Sequence, residues 1–152
     1  MKHYWLMKSE PEEFSIEALE QVGREPWSGV RNYQARNFMM NDMKLGDGIL
    51  FYHSNCPVPG VAGLAEVVSA AYPDPTQFQP GSDYFDAASK PAQPRWWLVD
   101  VGFKRKFKRT VSLEELRGQA GKLGNFALLQ RGNRLSVLPV SAAQYKHILS
   151  LE

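Results

Sequence analysis

Between positions 27 and 38 the chain reads WSGVRNYQARNF, which gathers a tryptophan, two guanidiniums and three carboxamides into twelve residues. Trp27 offers a flat stacking face and an indole donor. Arg31 and Arg36 are forked cationic donors, and the amides of Asn32, Gln34 and Asn37 both donate and accept. Such groups suit a planar, hydrogen-bonding, partly anionic ligand, such as a nucleobase with its phosphate. The plainer reading is a loop leading into an amphipathic helix, with Trp27 and Phe38 in the core and the arginines solvated.

A second concentration of charge is KRKFKR at 104–109. In a strand Lys104, Lys106 and Lys108 point one way and Arg105 and Arg109 the other, so all five cannot meet one ligand. The lysines are candidate phosphate contacts, with Arg36 and Lys8 as further cations. The alternative is a solvated edge strand that its lysines protect from aggregation. Catalytic signals are thinner. His53 and Cys56 can be drawn as base and nucleophile, but HSNC has no third member and no oxyanion loop. His3, His53 and His147 lack metal-ligand spacing, and Gly60 and Gly63 are not followed by the Gly-Lys-Ser/Thr of a phosphate loop. No metal and no cofactor are expected.

These groups need a scaffold, and 152 residues make one domain, 1–152, with a single core. A hydrophobic share of 43%, a charged share of 22% and ten prolines describe a globular protein that is not a helical bundle. The net charge of +2 is compatible with nucleic acid but does not require it. Cys56 is the only cysteine and no apolar run approaches a membrane span, so a cytoplasmic protein without a membrane partner is expected, and it is taken as a monomer.

The patterning alternates strands with short helices. His3 to Lys8 reads as a strand, and Ser15 N-caps a helix through Ile16, Leu19 and Val22 that Gly23 ends. A second helix is expected over about Gln34 to Met43. Ile49 to His53 and Val61 to Ser69 read as paired strands. Residues 72–95 hold five prolines and read as a long surface excursion. Trp96 to Phe107 restarts a strand with Trp97, Val99, Val101 and Phe103 on one face. Capping boxes at Ser112/Glu115 and Ser141/Gln144 open two helices on either side of a last strand, Leu135 to Val140. Strands that pair with near neighbours predict an α+β fold, a small, mainly antiparallel β-barrel decorated with short helices.

Seven segments in order, KHYWLMKSEP, WSGVRNYQARNFM, GDGILFYHSN, PGVAGLAEVV, YPDPTQF, PRWWLVDV and RLSVLPVS, resemble the EVE-domain family across nearly the whole chain. The resemblance implies a PUA-like barrel related to YTH domains, and a reader of a modified base in DNA or RNA, methylated or hydroxymethylated, held in an aromatic pocket. The KS pair of YTH domains corresponds to Lys8 and Ser9, and their tryptophan with a small neighbour corresponds to Trp27 and Ser28. The strand and loop before GVAE correspond to FYHSNCPVPGVAGLAE, which puts His53, Ser54 and Asn55 on the pocket wall. Trp96 is the candidate second aromatic, because Trp97 falls on the core face. With Val30, Arg31, Asn32, Tyr33 and Gln34 from the opening segment, these residues make up the expected base site, and Arg36 either braces it or touches phosphate. ASCH relatives of the same superfamily leave a second reading, a hydrolase-like enzyme acting on a nucleoside or RNA.

Overall fold

A computed structural model describes residues 2–152. Six strands form one sheet: β1 (Tyr4–Ser9), β2 (Arg24–Pro26), β3 (Gly48–His53), β4 (Gly60–Val67), β7 (Asp100–Ser112) and β8 (Val137–Val140), in the order β2-β7-β4-β3-β1-β8. β1 and β3 are parallel, and every other neighbouring pair in the sheet is antiparallel. The sheet curls into a half-barrel with β2 and β8 as its two unjoined edges, so the expected α+β barrel is present with an open seam.

The sheet is apolar on both faces, and period-two alternation sorts its side chains. Trp5, Met7, Ile49, Phe51, Val99 and Val101 enter one core, which α1 (Ile16–Val22) and α2 (Tyr33–Asn37) complete with Ile16, Leu19 and Ala35. Leu6, Leu50, Leu64, Phe107 and Leu138 enter the other, closed by α3 (Leu113–Gly118), α4 (Ala120–Leu123) and α5 (Ala142–Leu151) through Leu116, Leu123 and Ile148. The sequence reading foresaw a single core. There are two because a sheet covered on both faces buries successive residues on opposite sides, and each fully buried Leu or Ile contributes about 1.5–3 kcal/mol.

Local signals explain most element ends. The Ser15 side chain accepts from Ala18 N–H, and Gly23 closes α1 at φ 83°. Ser141 and Gln144 form the complete reciprocal box that starts α5. At α3 only half of the expected box exists, because Ser112 caps Glu115 N–H while the Glu115 carboxylate turns to Arg109. The second helix starts one residue before expectation, with the Asn32 side chain as its N-cap, and from Phe38 to Asp42 it widens into a π-helix.

β7 runs on to Ser112, beyond the expected end at Phe107. Opposite it, Ala65 faces Phe103 and Leu64 faces Arg105, so Lys104 is the extra residue of a bulge. The bulge reverses the facing, which is why Val101 packs in the first core and Phe107 in the second. Residues 96–98 leave the main sheet as well. β6 (Trp97–Leu98) pairs with β5 (Tyr72–Pro73) in a separate ribbon, and there Trp96 is the buried tryptophan while Trp97 stays half-exposed, the reverse of the expectation.

The 72–95 excursion is far more ordered than its prolines predict. Pro75–Phe78 forms a 3-10 turn capped by Asp74. The fully buried Gln77 donates to the carbonyls of Asp74 and Trp96 and accepts from the Ser89 hydroxyl and Trp96 N–H. The excursion is therefore a packed buttress, with its buried polar groups satisfied.

Candidate functional site

The half-barrel opens at its seam, and a cavity of about 620 Å³ lies there. Glu25, Pro26 and the following Trp27 to Arg31 line one side, from the β2 edge. Lys8, Ser9 and Ser136 line the other, from the end of β1 and the approach to β8. An unjoined pair of sheet edges thus becomes a concave site of a size usual for small ligands.

The wall made by residues 27–31 is positioned by the buttress. Asp74, 1% exposed, accepts from Gly29 N–H at 2.8 Å, from the Arg31 guanidinium at 3.1 Å and from Thr76 N–H at 2.9 Å. Burial alone would push its carboxyl up, but the hydrogen bonds from the Thr76 hydroxyl, the two backbone N–H groups and Arg31 together hold it below the usual aspartate range. Arg31 also donates to the carbonyls of Val30 and Tyr84 and to the Thr76 hydroxyl. Its donors are taken, so it acts as a clamp and has little left for a phosphate. Gly29 is required at its position twice over: its φ is +87°, and a Cβ there would come within 2.6 Å of the Tyr84 ring.

Trp27 is 8% exposed, standing edge-to-face with Phe14 and Phe51. It offers the cavity a margin of ring, and its indole N–H has no protein acceptor among the described residues. The exposed aromatic surface belongs to Tyr84, which also lines the cavity and which sequence reasoning missed. The only sequence signal for it was an aromatic among turn residues, and its distance of fifty-odd positions from Trp27 hid the connection.

The cavity is mixed in charge. Lys8 lines it at the end of β1, but its side chain alternates with Leu6 onto the face of the second core, where the half-buried ammonium lies 5.9 Å from the Tyr52 ring centre and burial lowers its proton affinity. Glu10, Glu13 and Glu25 face the same space. Burial, and then the Asp100 charge, raise the Glu25 carboxyl above its ordinary range. A carboxylate beside an aromatic wall is an acceptor for an exocyclic amine such as cytosine N4, and it disfavours a phosphate inside the cavity.

Of the expected base-site residues, Lys8, Ser9, Trp27, Ser28, Val30, Arg31 and Ser54 line the cavity. The others lie elsewhere, each for a definite reason. Asn32 spends its side-chain oxygen on Ala35 N–H as a helix cap. Tyr33 stacks on Trp96 at 4.8 Å, and Trp96 is held from behind by the Asp86 carboxylate, so this pair is part of the buttress. Gln34 lines a separate groove. His53 accepts Ile16 N–H through Nε2 at 3.1 Å and serves the start of α1, with burial lowering its proton affinity. Asn55, at φ 51°, bonds Glu10 from an exposed turn. Arg36 braces Asn37 and the Arg95 carbonyl. Lys104, Lys106 and Lys108 line neither cavity, and Lys106 sits 3.7 Å from Glu17.

Comparison with known proteins agrees with this architecture. The chain is 45% identical to thymocyte nuclear protein 1 of Mus musculus over 170 aligned residues, covering 100% of this chain and 74% of the relative. A crystal structure of human THYN1 protein in complex with 5-methylcytosine-containing DNA superposes with a TM-score of 0.93 at 43% identity, covering 99% of this chain and 97% of that one. A Pseudomonas syringae protein of known crystal structure superposes equally well, with a TM-score of 0.93 at 50% identity over 97% and 98% of the two chains. The model of the EVE domain matches residues 3–151, and the chain belongs to the EVE-domain family.

Proposed function

We propose that the seam cavity binds one base of a nucleic acid, a methylated cytosine in the first instance, taken unpaired or flipped from its stack. The observation that carries this reading is the convergence of Trp27, Tyr84 and Glu25 on one cavity, a ring edge, an exposed aromatic face and an amine acceptor. Support comes from the human relative crystallised with DNA containing 5-methylcytosine. In this reading Tyr84 stacks on the base, the Trp27 indole margin meets its edge and Glu25 accepts from the exocyclic amine.

Magnitudes shape the expected behaviour. A base stack contributes roughly 1–3 kcal/mol. A newly buried methyl adds about 0.8 kcal/mol, roughly a fourfold preference. The cavity alone therefore binds weakly, and useful affinity requires contacts beyond it. The test is titration of matched oligonucleotides with cytosine or 5-methylcytosine against the wild type, Tyr84→Ala and Glu25→Ala. A several-fold preference is expected in the wild type; Tyr84→Ala should weaken binding and shrink that preference, and Glu25→Ala should weaken both oligonucleotides alike, since both bases carry the amine. Equal affinity for both oligonucleotides in all three proteins would sink the reading.

A further inference from the structure

A second groove, of about 330 Å³, lies beside the seam cavity, lined by Gln34 and the 130–135 segment. Arg134 lines both spaces, so the two adjoin at that residue. Their chemistry differs sharply. The cavity mixes three carboxylates with Lys8, Arg31 and Arg134, while the groove carries Arg131, Arg134 and the amides of Gln34, Gln130 and Asn133 with no acidic residue.

Several exposed arginines elsewhere are engaged. Arg24 pairs with Asp100, Arg105 with Glu152, and Arg109 with Glu115. Arg131 and Arg134 have no carboxylate or carbonyl partner among the described residues, and neither do the side chains of Gln34 and Gln130. Only Asn133 is committed, donating to the Ala127 carbonyl and accepting Leu135 N–H, which with Gly132 at φ +78° shapes the turn that carries the two arginines.

We propose that this groove is a backbone subsite: it takes the phosphodiester of the nucleotide flanking the one whose base enters the seam cavity, with Arg134 at the junction and Arg131 beyond it. The inference rests on the base-binding reading and supplies the contacts that reading requires. Two unengaged guanidiniums and two free amides suit phosphate and sugar oxygens, and the absence of an acid lets an anion approach. The carboxylates of Glu10, Glu13 and Glu25 in the cavity make the groove, which has none, the better place for a phosphate.

The test uses Arg131→Gln, which alters only the groove, and Arg134→Gln, which alters the junction. Lys108→Gln is the control of equal charge change. Binding of a 5-methylcytosine oligonucleotide is measured against salt, and binding of free 5-methyl-2′-deoxycytidine separately by tryptophan fluorescence. Each arginine variant is expected to reduce the slope of log affinity against log salt by about 1, with methylated and unmethylated sequences weakened alike. Arg131→Gln should leave nucleoside binding unchanged, and Lys108→Gln should leave both unchanged. Nucleoside binding with an oligonucleotide salt slope insensitive to both arginines overturns the subsite and leaves the cavity reading standing. A slope reduced equally by Lys108→Gln overturns it too, since general charge then accounts for the effect. Failure of the wild type to bind the nucleoside and the oligonucleotide removes both readings together.

Discussion

The wall of residues 27–31 and the basic run of β7 are both rich in donors, yet they end in opposite circumstances. The wall is bent by Gly29, clamped through Arg31 to the buried Asp74, and left facing an open cavity. The β7 run lies in the sheet with a bulge at Lys104, and its arginines are taken by Glu152 and Glu115. A charge becomes available to a ligand only where it borders a concavity and lacks an internal partner. By that standard Arg131 and Arg134, which drew no notice in the sequence, outrank all five cations of KRKFKR.

The largest effect is expected on the wall side. Asp74→Ala strands Arg31 and the N–H groups of Gly29 and Thr76, and should cost about 3 kcal/mol. That is a fall in Tm of roughly 10 °C for a domain of this size. Denaturant unfolding measures it, and a loss below about 1 kcal/mol would mean the buttress does not hold the wall. Gly29→Ala should cost about 1–2 kcal/mol for its left-handed backbone and displace the Tyr84 ring, weakening oligonucleotide binding as Tyr84→Ala does. Full binding by Gly29→Ala would remove Tyr84 from the site.

His53 sharpens the comparison from behind the cavity. Its Nε2 must be unprotonated to accept Ile16 N–H, and its folded proton affinity is depressed. The stability it supplies is complete above the ordinary histidine value of about 6.5 and is lost as pH falls through its lower folded value. His53→Ala should cost about 1 kcal/mol at neutral pH, as loss of a cap does, and flatten the decline of stability between neutral and mildly acidic pH. An unchanged pH profile would assign that decline to other groups. The smallest effect belongs to β7: Lys104→Gln, Lys106→Gln and Lys108→Gln combined should change stability by no more than about 0.5 kcal/mol. They should also reduce the salt slope less than Arg131→Gln alone. A greater reduction would restore the basic run as the nucleic-acid surface.

Residues 15–23 and 141–151 show how far local chemistry reaches: a cap and a glycine stop bound the first helix, whose Ile16 and Leu19 are buried while Val22 of the expected stripe is exposed, and a capping box starts the last. Lys8, Ser9, Trp27 and Ser28, singled out through the family's motifs, line the seam cavity. Tyr84, Glu25 and Arg134 line it too and were not singled out, because each reaches the cavity only when separate segments meet at the seam. Trp96 was misplaced because its apolar neighbours gave no sign that Asp86 and Gln77 would draw it into a buried ribbon.

The sequence by itself determined the strands, the capped helices and the apolar alternation, because these depend on neighbours within a few positions. Only the tertiary structure decided that β2 and β8 remain unjoined, that Asp74 reaches across to Gly29 and Arg31, and which cations find a carboxylate. Those outcomes depend on where distant segments come to rest, and a side chain's availability to a ligand is whatever the folded chain has not already used.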